Sequence, residues 1–381
     1  MSLNVHHENI HHEYDVIVVG AGPAGACAAK ALASSGVNVL IIDARARVGV
    51  PVRCAEYVPA FITRHVPLDK AHIAQRVEHM ETFFPSGEVV RSRFPGYVLH
   101  RHLFDSSLVA SAVEAGAKVL LGTKVVGLDG NTLIACTGGA SIRKFNAKIV
   151  IGADGPLSRV GRAIGQRNPR YVAAAQVEVV LGSPIECTRV YFDPEYTGGY
   201  GWVFPKGATA NVGVGIEVAL RGRETSRPAT LQAGPTGGLA SSSPRRLLHR
   251  FMQKLGIDER SVLSRTGGLI PVGGPLRAVR GHVLLAGDAA GHAHPVTGAG
   301  ILHAVIAGEA AGRAAAKAIL TGDLGALCEY EQECEDAFGW ALGRALERRN
   351  LMMAGWSFDP EALTALLRET WIAFAPGRPA R

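Results

Sequence analysis

Gly20, Gly22 and Gly25 stand in the spacing G-x-G-x-x-G, directly after the run Asp15-Val-Ile-Val-Val19 and directly before an alanine-rich stretch. A second apolar run, 37–42, ends on Asp43. These residue types in this order suit one task, the holding of a dinucleotide. Gly20 permits a tight turn, Gly22 lets backbone approach a pyrophosphate, and Gly25 lets helix and strand pack closely. A helix N-terminus offers free N–H groups and a positive dipole end to the phosphates. Asp43 accepts from a ribose hydroxyl and disfavours a 2′-phosphate. The plain alternative is a glycine-rich turn with no ligand; the flanking strands and the acid argue against it. At this point NAD and FAD both remain open.

Those residues need elements to position them. The β-branched run 15–19 predicts a buried parallel strand. Ala26, Ala28, Ala29, Ala31, Leu32 and Ala33 predict a helix that stops at Gly36, and 37–42 a second strand. Two later segments repeat the logic: KIVIGADGPLSRVGR at 148–162 and GHVLLAGDAAGHAHPVTGAGIL at 281–302. In each, an apolar strand ends in a turn containing an acid, Asp154 or Asp288, and a helix follows. Asp288 sits at a strand's C-terminal end, where ligands bind in open α/β sheets. A further loop, Thr297-Gly-Ala-Gly300, opens an alanine-rich helix at Ile301, whose dipole can stabilise negative charge.

Composition narrows the classes. The chain has 381 residues, 40 Lys and Arg against 33 Asp and Glu, 47% apolar residues and 19% charged ones. A disordered chain needs the reverse balance. The basic residues come singly or in pairs, so no nucleic-acid-binding arm is present. Glycine is abundant, with 46 residues, which marks tight turns and close backbone approaches. Cys27, Cys54, Cys136, Cys187, Cys328 and Cys334 form no C-x-x-C pair, which argues against zinc or iron–sulfur ligation. The N-terminus lacks a signal-peptide pattern, and the reading is a cytoplasmic, soluble chain with peripheral membrane contact left open. His6, His7, His11 and His12 read as a disordered polar tail rather than a metal site.

Taken together, the three motifs resemble the FAD-dependent group that includes p-hydroxybenzoate-hydroxylase-like monooxygenases, flavin halogenases and geranylgeranyl reductases. The resemblance implies FAD, with Gly20, Gly22, Ala24 and Gly25 on the pyrophosphate, Asp43 on the adenosine ribose, and Asp288 to Ile301, including Gly300, around ribityl and isoalloxazine. It also implies FAD contacts for Arg101, Val125 and Asp154. No second strand–GxGxxG–helix unit exists in the sequence, so an external donor, NAD(P)H or ferredoxin, is implied.

Two segments select a branch. Gly49-Val-Pro51-Val-Arg53-Cys54-Ala-Glu56-Tyr57 is similar to the P-x-x-C-G-E segment of geranylgeranyl reductases, with Ala55 in place of the glycine. It implies that Cys54, Ala55 and Tyr57 lie by the flavin. Gly199-Tyr200-Gly-Trp202-Val-Phe204-Pro205 is similar to that family's Y-x-W-x-F-P segment beside its lipid tunnel. Alternation puts Tyr200, Trp202 and Phe204 on one strand face, a suitable wall for an apolar chain; an ordinary core face is the plain alternative. Pro205 is carried with them as substrate-binding. Cys54 is a candidate redox or proton-relay thiol, or simply a small buried hydrophobe. His292 and His294 form H-x-H without an evident third ligand, and proton supply is their better functional reading.

The expected architecture is a Rossmann-type α/β FAD-binding domain (14–80, 98–170 and 276–322) with an inserted mixed or antiparallel β-sheet substrate domain (81–97 and 171–275). A tail at 1–13 and a C-terminal helical region at 323–381 complete it, and 221–247 reads as a loop. The expected activity is FAD-dependent saturation of C=C bonds in geranylgeranyl chains of a lipid or diphosphate. The basic balance suits an anionic lipid surface, a diphosphate or an acidic electron carrier. An aromatic hydroxylase and a flavin halogenase share the FAD motifs and remain the alternatives. A quinone-reductase type of electron carrier would need a fuller cysteine set near the C-terminus.

Overall fold

A computed structural model describes residues 12–139, 141–220, 231–233 and 243–372. His6, His7 and His11 and most of segment 221–247 lie outside the described residues; of that expected loop, Leu231–Ala233 is a strand and a helix begins at Pro244. The first sheet grows from short runs of Val and Ile: β1 (His12–Val19), β2 (Val39–Ile42), β6 (Lys118–Leu120), β9 (Ser141–Gly152) and β17 (Val283–Leu285). They pair in parallel in the order β17-β9-β1-β2-β6. Every residue of β2 is buried, as a strand covered on both faces must be. β16 (Val279–Arg280) closes one edge, and the hairpin β7 (Thr123–Asp129) and β8 (Thr132–Thr137) attaches to the first half of β9.

Helix α1 (Pro23–Ser34) and helix α5 (Ile301–Thr321) cross at contact distance because two glycines remove the obstacle. A Cβ at Gly308 would lie 2.2 Å from the Ala24 carbonyl oxygen, and one at Gly312 would lie 2.5 Å from that of Ala28. Helix α2 (Arg101–Glu114) packs beside α1.

The second sheet has the order β15-β10-β13-β12-β11-β4-β5-β3. Its strands are β3 (Tyr57–Pro59), β4 (Ile73–Phe83), β5 (Val89–Leu99), β10 (Tyr171–Val180), β11 (Thr188–Tyr191), β12 (Tyr200–Lys206), β13 (Thr209–Leu220) and β15 (Val262–Pro271). β14 (Leu231–Ala233) pairs with β13. All pairings are antiparallel except β11 with β4. The chain therefore enters this sheet at Tyr57, well before residue 81, because β4 needs β5 as its hairpin partner and β3 pairs on β5's other edge. At the other end, the first sheet takes in His12 and Glu13 through pairing with Phe145 and Asn146.

Helix α4 (Pro244–Lys254) covers the outer face of the second sheet with Leu247, Leu248, Phe251 and Met252. The short α3 (Arg159–Ala163) follows β9. At the C-terminus α6 (Cys328–Cys334), α7 (Trp340–Ala354) and α8 (Pro360–Thr370) follow α5. Leu363, Leu367 and Trp371 build a third core with Met80, Phe84 and Phe192, and the Trp371 indole donates to Thr82 Oγ1 at 3.2 Å. Among the described residues no helix is long and apolar enough to cross a membrane.

Candidate functional site

The glycine loop between β1 and α1 divides its three glycines by task. A Cβ at Gly20 (φ +109°) would lie 2.2 Å from the Ala153 carbonyl oxygen, and one at Gly25 would lie 1.9 Å from that of Gly20. Both positions are closed by the protein's own backbone. Gly22 has nothing within 4 Å of its Cβ position. It is the N-cap of α1, extended at φ −78° and ψ −178°, with no side chain capping the helix. Free N–H groups and open space thus coincide at one spot, which is the arrangement a phosphate requires.

Asp43 ends β2 beside this loop. Its Oδ2 accepts from the Ala21 N–H at 2.7 Å and its Oδ1 from the Arg45 N–H at 2.7 Å. Each oxygen keeps a lone pair for a further donor. The Thr123 N–H donates to the Asp43 carbonyl at 2.9 Å, which brings the start of β7 next to Asp43; Val125, two residues along, is buried.

Asp154 has a role within the fold. Its carboxylate accepts from Ser158 Oγ and from the Arg159 N–H, 2.7 Å away, and so caps α3. Its neighbour Ala153, not its side chain, meets the glycine loop. Asn168, a residue sequence reasoning missed, donates to the carbonyls of Pro156 and Asp288, both at 3.0 Å, and ties the two acid-bearing turns together.

Asp288 lies where β17 ends, with Gly300 beside it: a Cβ at Gly300 would lie 3.2 Å from Asp288 Oδ1. Gly300 is the N-cap of α5, again with no capping side chain, and Ile301 is its first residue. Burial pushes the Asp288 carboxyl up to about 6, against the pull of the Arg101 guanidinium. Arg101 opens α2 and is held by Asp105, Nε to Oδ1 at 2.8 Å and Nη2 to Oδ2 at 2.9 Å. Burial opposes its charge, but the acids around it raise its pKa above the usual value.

The 50–57 segment runs between the two sheets, and side chains from three strands of the second sheet hold it. Thr266 on β15 donates to the Val52 carbonyl (2.9 Å), Gln176 on β10 to that of Cys54 (3.0 Å), and Asn211 on β13 to that of Ala55 (3.2 Å). Gln176 is itself oriented by the Trp202 indole N–H at 3.0 Å. Ala55 stands where the resembled segment has glycine, yet the left-handed residue is the next one, Glu56 at φ +74°. Alanine is tolerated at 55 for that reason.

Glu56 is buried, and its carboxylate is the hub of the segment. Oε1 accepts from the Arg101 N–H at 3.0 Å; Oε2 accepts from Asn211 Nδ2 at 2.7 Å and faces Lys206 Nζ at 2.6 Å. Lys206 is almost as buried, with Glu178 at 3.4 Å as a second partner. The Cys54 Sγ accepts from the Glu56 N–H at 3.2 Å, and burial pushes its pKa up although Arg101 opposes this. A thiol so placed stays protonated: it can donate a proton but is not a thiolate nucleophile.

Along β12 the alternation holds. Gly201 and Val203 face α4, where a Cβ at Gly201 would lie 3.0 Å from the Phe251 ring. Pro205 shares that parity, which removes it from the expected substrate wall. Tyr200, Trp202 and Phe204 face inward. The Tyr200 and Trp202 rings pack edge to face at 6.1 Å, and Phe204 meets Tyr57 at 6.0 Å. Tyr57 is part of this wall, its hydroxyl donating to the Phe94 carbonyl at 3.2 Å.

Gly213 and Gly215 on β13 leave room for the indole, since a Cβ at Gly213 would lie 2.1 Å from it. Tyr200 and Trp202 line a small apolar pocket with about 30 Å³ of enclosed space. Val172, Ile270 and Val272 add to this wall, and Val296, Thr297 and Gly298, just before α5, form the opposite one. The Tyr200 hydroxyl donates across it to the Thr297 carbonyl.

Three histidines lie behind that loop. His294 Nδ1 accepts from the Val296 and Thr297 N–H groups (3.3 and 3.2 Å) and fixes the loop's shape. His292 and His303 flank the Phe338 ring, each at 5.1 Å, and the Nδ1 atoms of both are buried without a partner. Burial lowers the pKa of His292 and His294 to about 3 and that of His303 to about 4.

The unfolded chain holds these histidines at a pKa near ~6.5 and Asp288 near ~3.9. Between about pH 4 and 6 unfolding therefore takes up three protons on histidine and releases one from Asp288, a net uptake of two. Stability is expected to fall by up to about 3 kcal/mol per pH unit as pH drops through this window. Urea midpoints measured from pH 7 to 4.5 check it; a flat profile contradicts neutral burial of the three rings.

This two-sheet architecture, with a parallel sheet carrying an open glycine loop and a second sheet walling an apolar pocket at the head of α5, is a fold shared with solved flavin-dependent enzymes. A flavin-dependent brominase superimposes on it with a TM-score of 0.68 over 96% of both chains at 17% identity, a likeness of fold alone. A geranylgeranyl bacteriochlorophyll reductase-like protein of Thermoplasma acidophilum superimposes with a TM-score of 0.75, covering 95% of this chain and 97% of its own, at 25% identity.

The family model described as "Lycopene cyclase protein" matches residues 15–197 and 236–366. Digeranylgeranylglycerophospholipid reductase 1 of Methanopyrus kandleri is 38% identical over 86% of this chain and 87% of its own. The digeranylgeranylglycerophospholipid reductase of Methanosarcina mazei is 36% identical over 94% and 89%. The chain belongs to the digeranylgeranylglycerophospholipid reductase family.

Proposed function

We propose that this protein is an FAD-dependent reductase that saturates C=C bonds in the geranylgeranyl chains of a lipid. The observation that carries the reading is the apolar cavity between the Tyr200–Trp202 face and the Val296–Gly298 loop, together with relatives named for a digeranylgeranyl lipid.

The residues fit FAD. Gly22 and the uncapped start of α1 suit the pyrophosphate, Asp43 a ribose, and Gly300 with the uncapped start of α5 the ring system. Bound FAD would supply reducing equivalents to the alkene. An isolated alkene has no carbonyl to polarise, so the protein's tasks are to exclude water, align the chain and hold a proton ready. Trp202 and its neighbours provide the dry wall, and Cys54, protonated and near Arg101, holds a proton on Sγ. The external donor is NAD(P)H or ferredoxin, and a lipid substrate calls for work at a membrane surface from the cytoplasmic side.

The test uses purified protein, its FAD confirmed by absorbance and reduced with dithionite under argon, then mixed with geranylgeranyl lipid. Flavin reoxidation with a product two hydrogens heavier supports the reductase. Reoxidation only by oxygen, with a hydroxylated or halogenated arene, overturns it. A rearranged isoprenoid of unchanged mass also overturns it, in favour of the cyclase chemistry named by the matching family model.

A further inference from the structure

Arg349, on α7, is fully buried although it carries a charge. Its Nη1 donates to the Pro295 carbonyl at 2.8 Å, and its Nη2 to the Gly198 carbonyl at 2.9 Å and to Glu217 on β13. Pro295 directly precedes the Val296–Gly298 wall of the cavity, and Gly198 opens the wall that runs into Tyr200. One guanidinium therefore bridges both walls.

Its acid partner is held in turn. Arg170 grips Glu217 through Nε (2.8 Å) and Nη2 (3.1 Å), and its Nη1 donates to Oδ1 of Asn350, the next residue on α7, at 2.7 Å. Gly198 (φ +64°) is pressed against α7, since a Cβ there would lie 2.5 Å from Met353 Sδ.

Stability alone is a weak reason for this arrangement. A buried ion pair is often replaceable by apolar side chains without loss, and here Arg349 Nε is buried with no partner. The donors that are satisfied are those that reach the two walls.

We propose that Arg349 is a positioning residue that sets the separation of the two cavity walls, and so how the isoprenoid chain is aligned. The proposal rests on the reductase reading above. Without the guanidinium, the Tyr200 hydroxyl bond to the Thr297 carbonyl is left to set the spacing of the two walls, and a misplacement of ~1 Å can cost roughly 100-fold in rate.

The experiment compares native protein with Arg349→Lys, and with the double variant Arg349→Met, Glu217→Gln, which removes the guanidinium together with the charge it neutralises. Both are loaded with FAD and assayed per flavin on a geranylgeranyl lipid. The expected result is native FAD content and dithionite reduction, a fall of at least ~10-fold in kcat/KM, and accumulation of partly saturated products. Guanidinium added to Arg349→Ala is expected to restore part of the rate. Native kcat, KM and product pattern in both variants, with only a lower melting temperature, overturn the proposal. Binding of geranylgeraniol, followed by tryptophan fluorescence, separates this from failure of the reductase reading. If native protein binds but never reduces it, that reading fails, and the proposal is decided by whether Arg349→Lys weakens binding.

Discussion

Gly22→Ala is expected to fold as well as the native protein and to lose its flavin, whereas Gly25→Ala is expected to lose both flavin and stability. The two glycines are three residues apart in one loop, so the contrast isolates what each does. Gly22 has ordinary extended dihedrals and no atom within 4 Å of a new Cβ. Alanine there is strain-free and, by restricting the unfolded chain, stabilises by up to about 1 kcal/mol. The space its methyl fills is the space proposed for the pyrophosphate, so FAD affinity should drop by at least ~10-fold, about 1.4 kcal/mol.

At Gly25 the new methyl would lie 1.9 Å from the Gly20 carbonyl oxygen and 3.2 Å from Val18 Cγ1. One neighbour is backbone and cannot rotate away. Overpacking of this kind costs about 1–3 kcal/mol or more, and it also lifts α1 off the loop that it serves. Flavin-to-protein absorbance ratios and thermal melts of the two variants decide the matter. Full FAD retention by Gly22→Ala would remove the phosphate role from this loop.

How much of this was legible in the sequence depended on how local each interaction is. The β1–loop–α1–β2 unit and Asp43 could be read directly, because strand, turn, helix and acid are contiguous and each has its own signature. Alternation alone put Tyr200, Trp202 and Phe204 on one face of β12, and the resemblance made that face a substrate wall. The same alternation excludes Pro205, which the motif and not the parity places in the substrate wall.

The chain's entry into the second sheet at Tyr57 was not legible, since β3 is three residues long and earns its place only by pairing with β5. The capping of α3 by Asp154 was not legible either, because a capping acid after a strand looks the same as a binding one. Asn168, Gln176, Asn211 and Lys206 gave no signal: they act on backbone or charge far along the chain, and Asn211 reaches Glu56 across 155 positions. Arg349 was hidden for the same reason, in a helical tail with no motif. What periodicity cannot encode is which polar side chain ends buried beside which carbonyl.

Glu56→Ala is expected to be the most destabilising single change among the polar residues of the site. It leaves Lys206 buried without its 2.6 Å partner, and it strips acceptors from the Arg101 N–H and from Asn211. Breaking a buried pair by removing one partner costs about 3–5 kcal/mol. Glu178, 3.4 Å from Lys206 and partly solvated, can recover some of that.

Two further variants test the account. Lys206→Met in the Glu56→Ala background removes the stranded charge and should restore most of the stability, because neither member of the pair is then left alone. Glu56→Gly should be less harmful than Glu56→Ala: a non-glycine residue at φ +74° carries strain of about 1–3 kcal/mol that glycine does not. Denaturant midpoints order the three variants, with Glu56→Ala lowest. If instead all three fall together, the loss comes from the shared hydrogen bonds to Arg101 and Asn211, and the Lys206 pair contributes nothing. Stability regained in the double variant is not expected to bring function with it, because the backbone bearing Cys54 stays untied from α2 in every one of them.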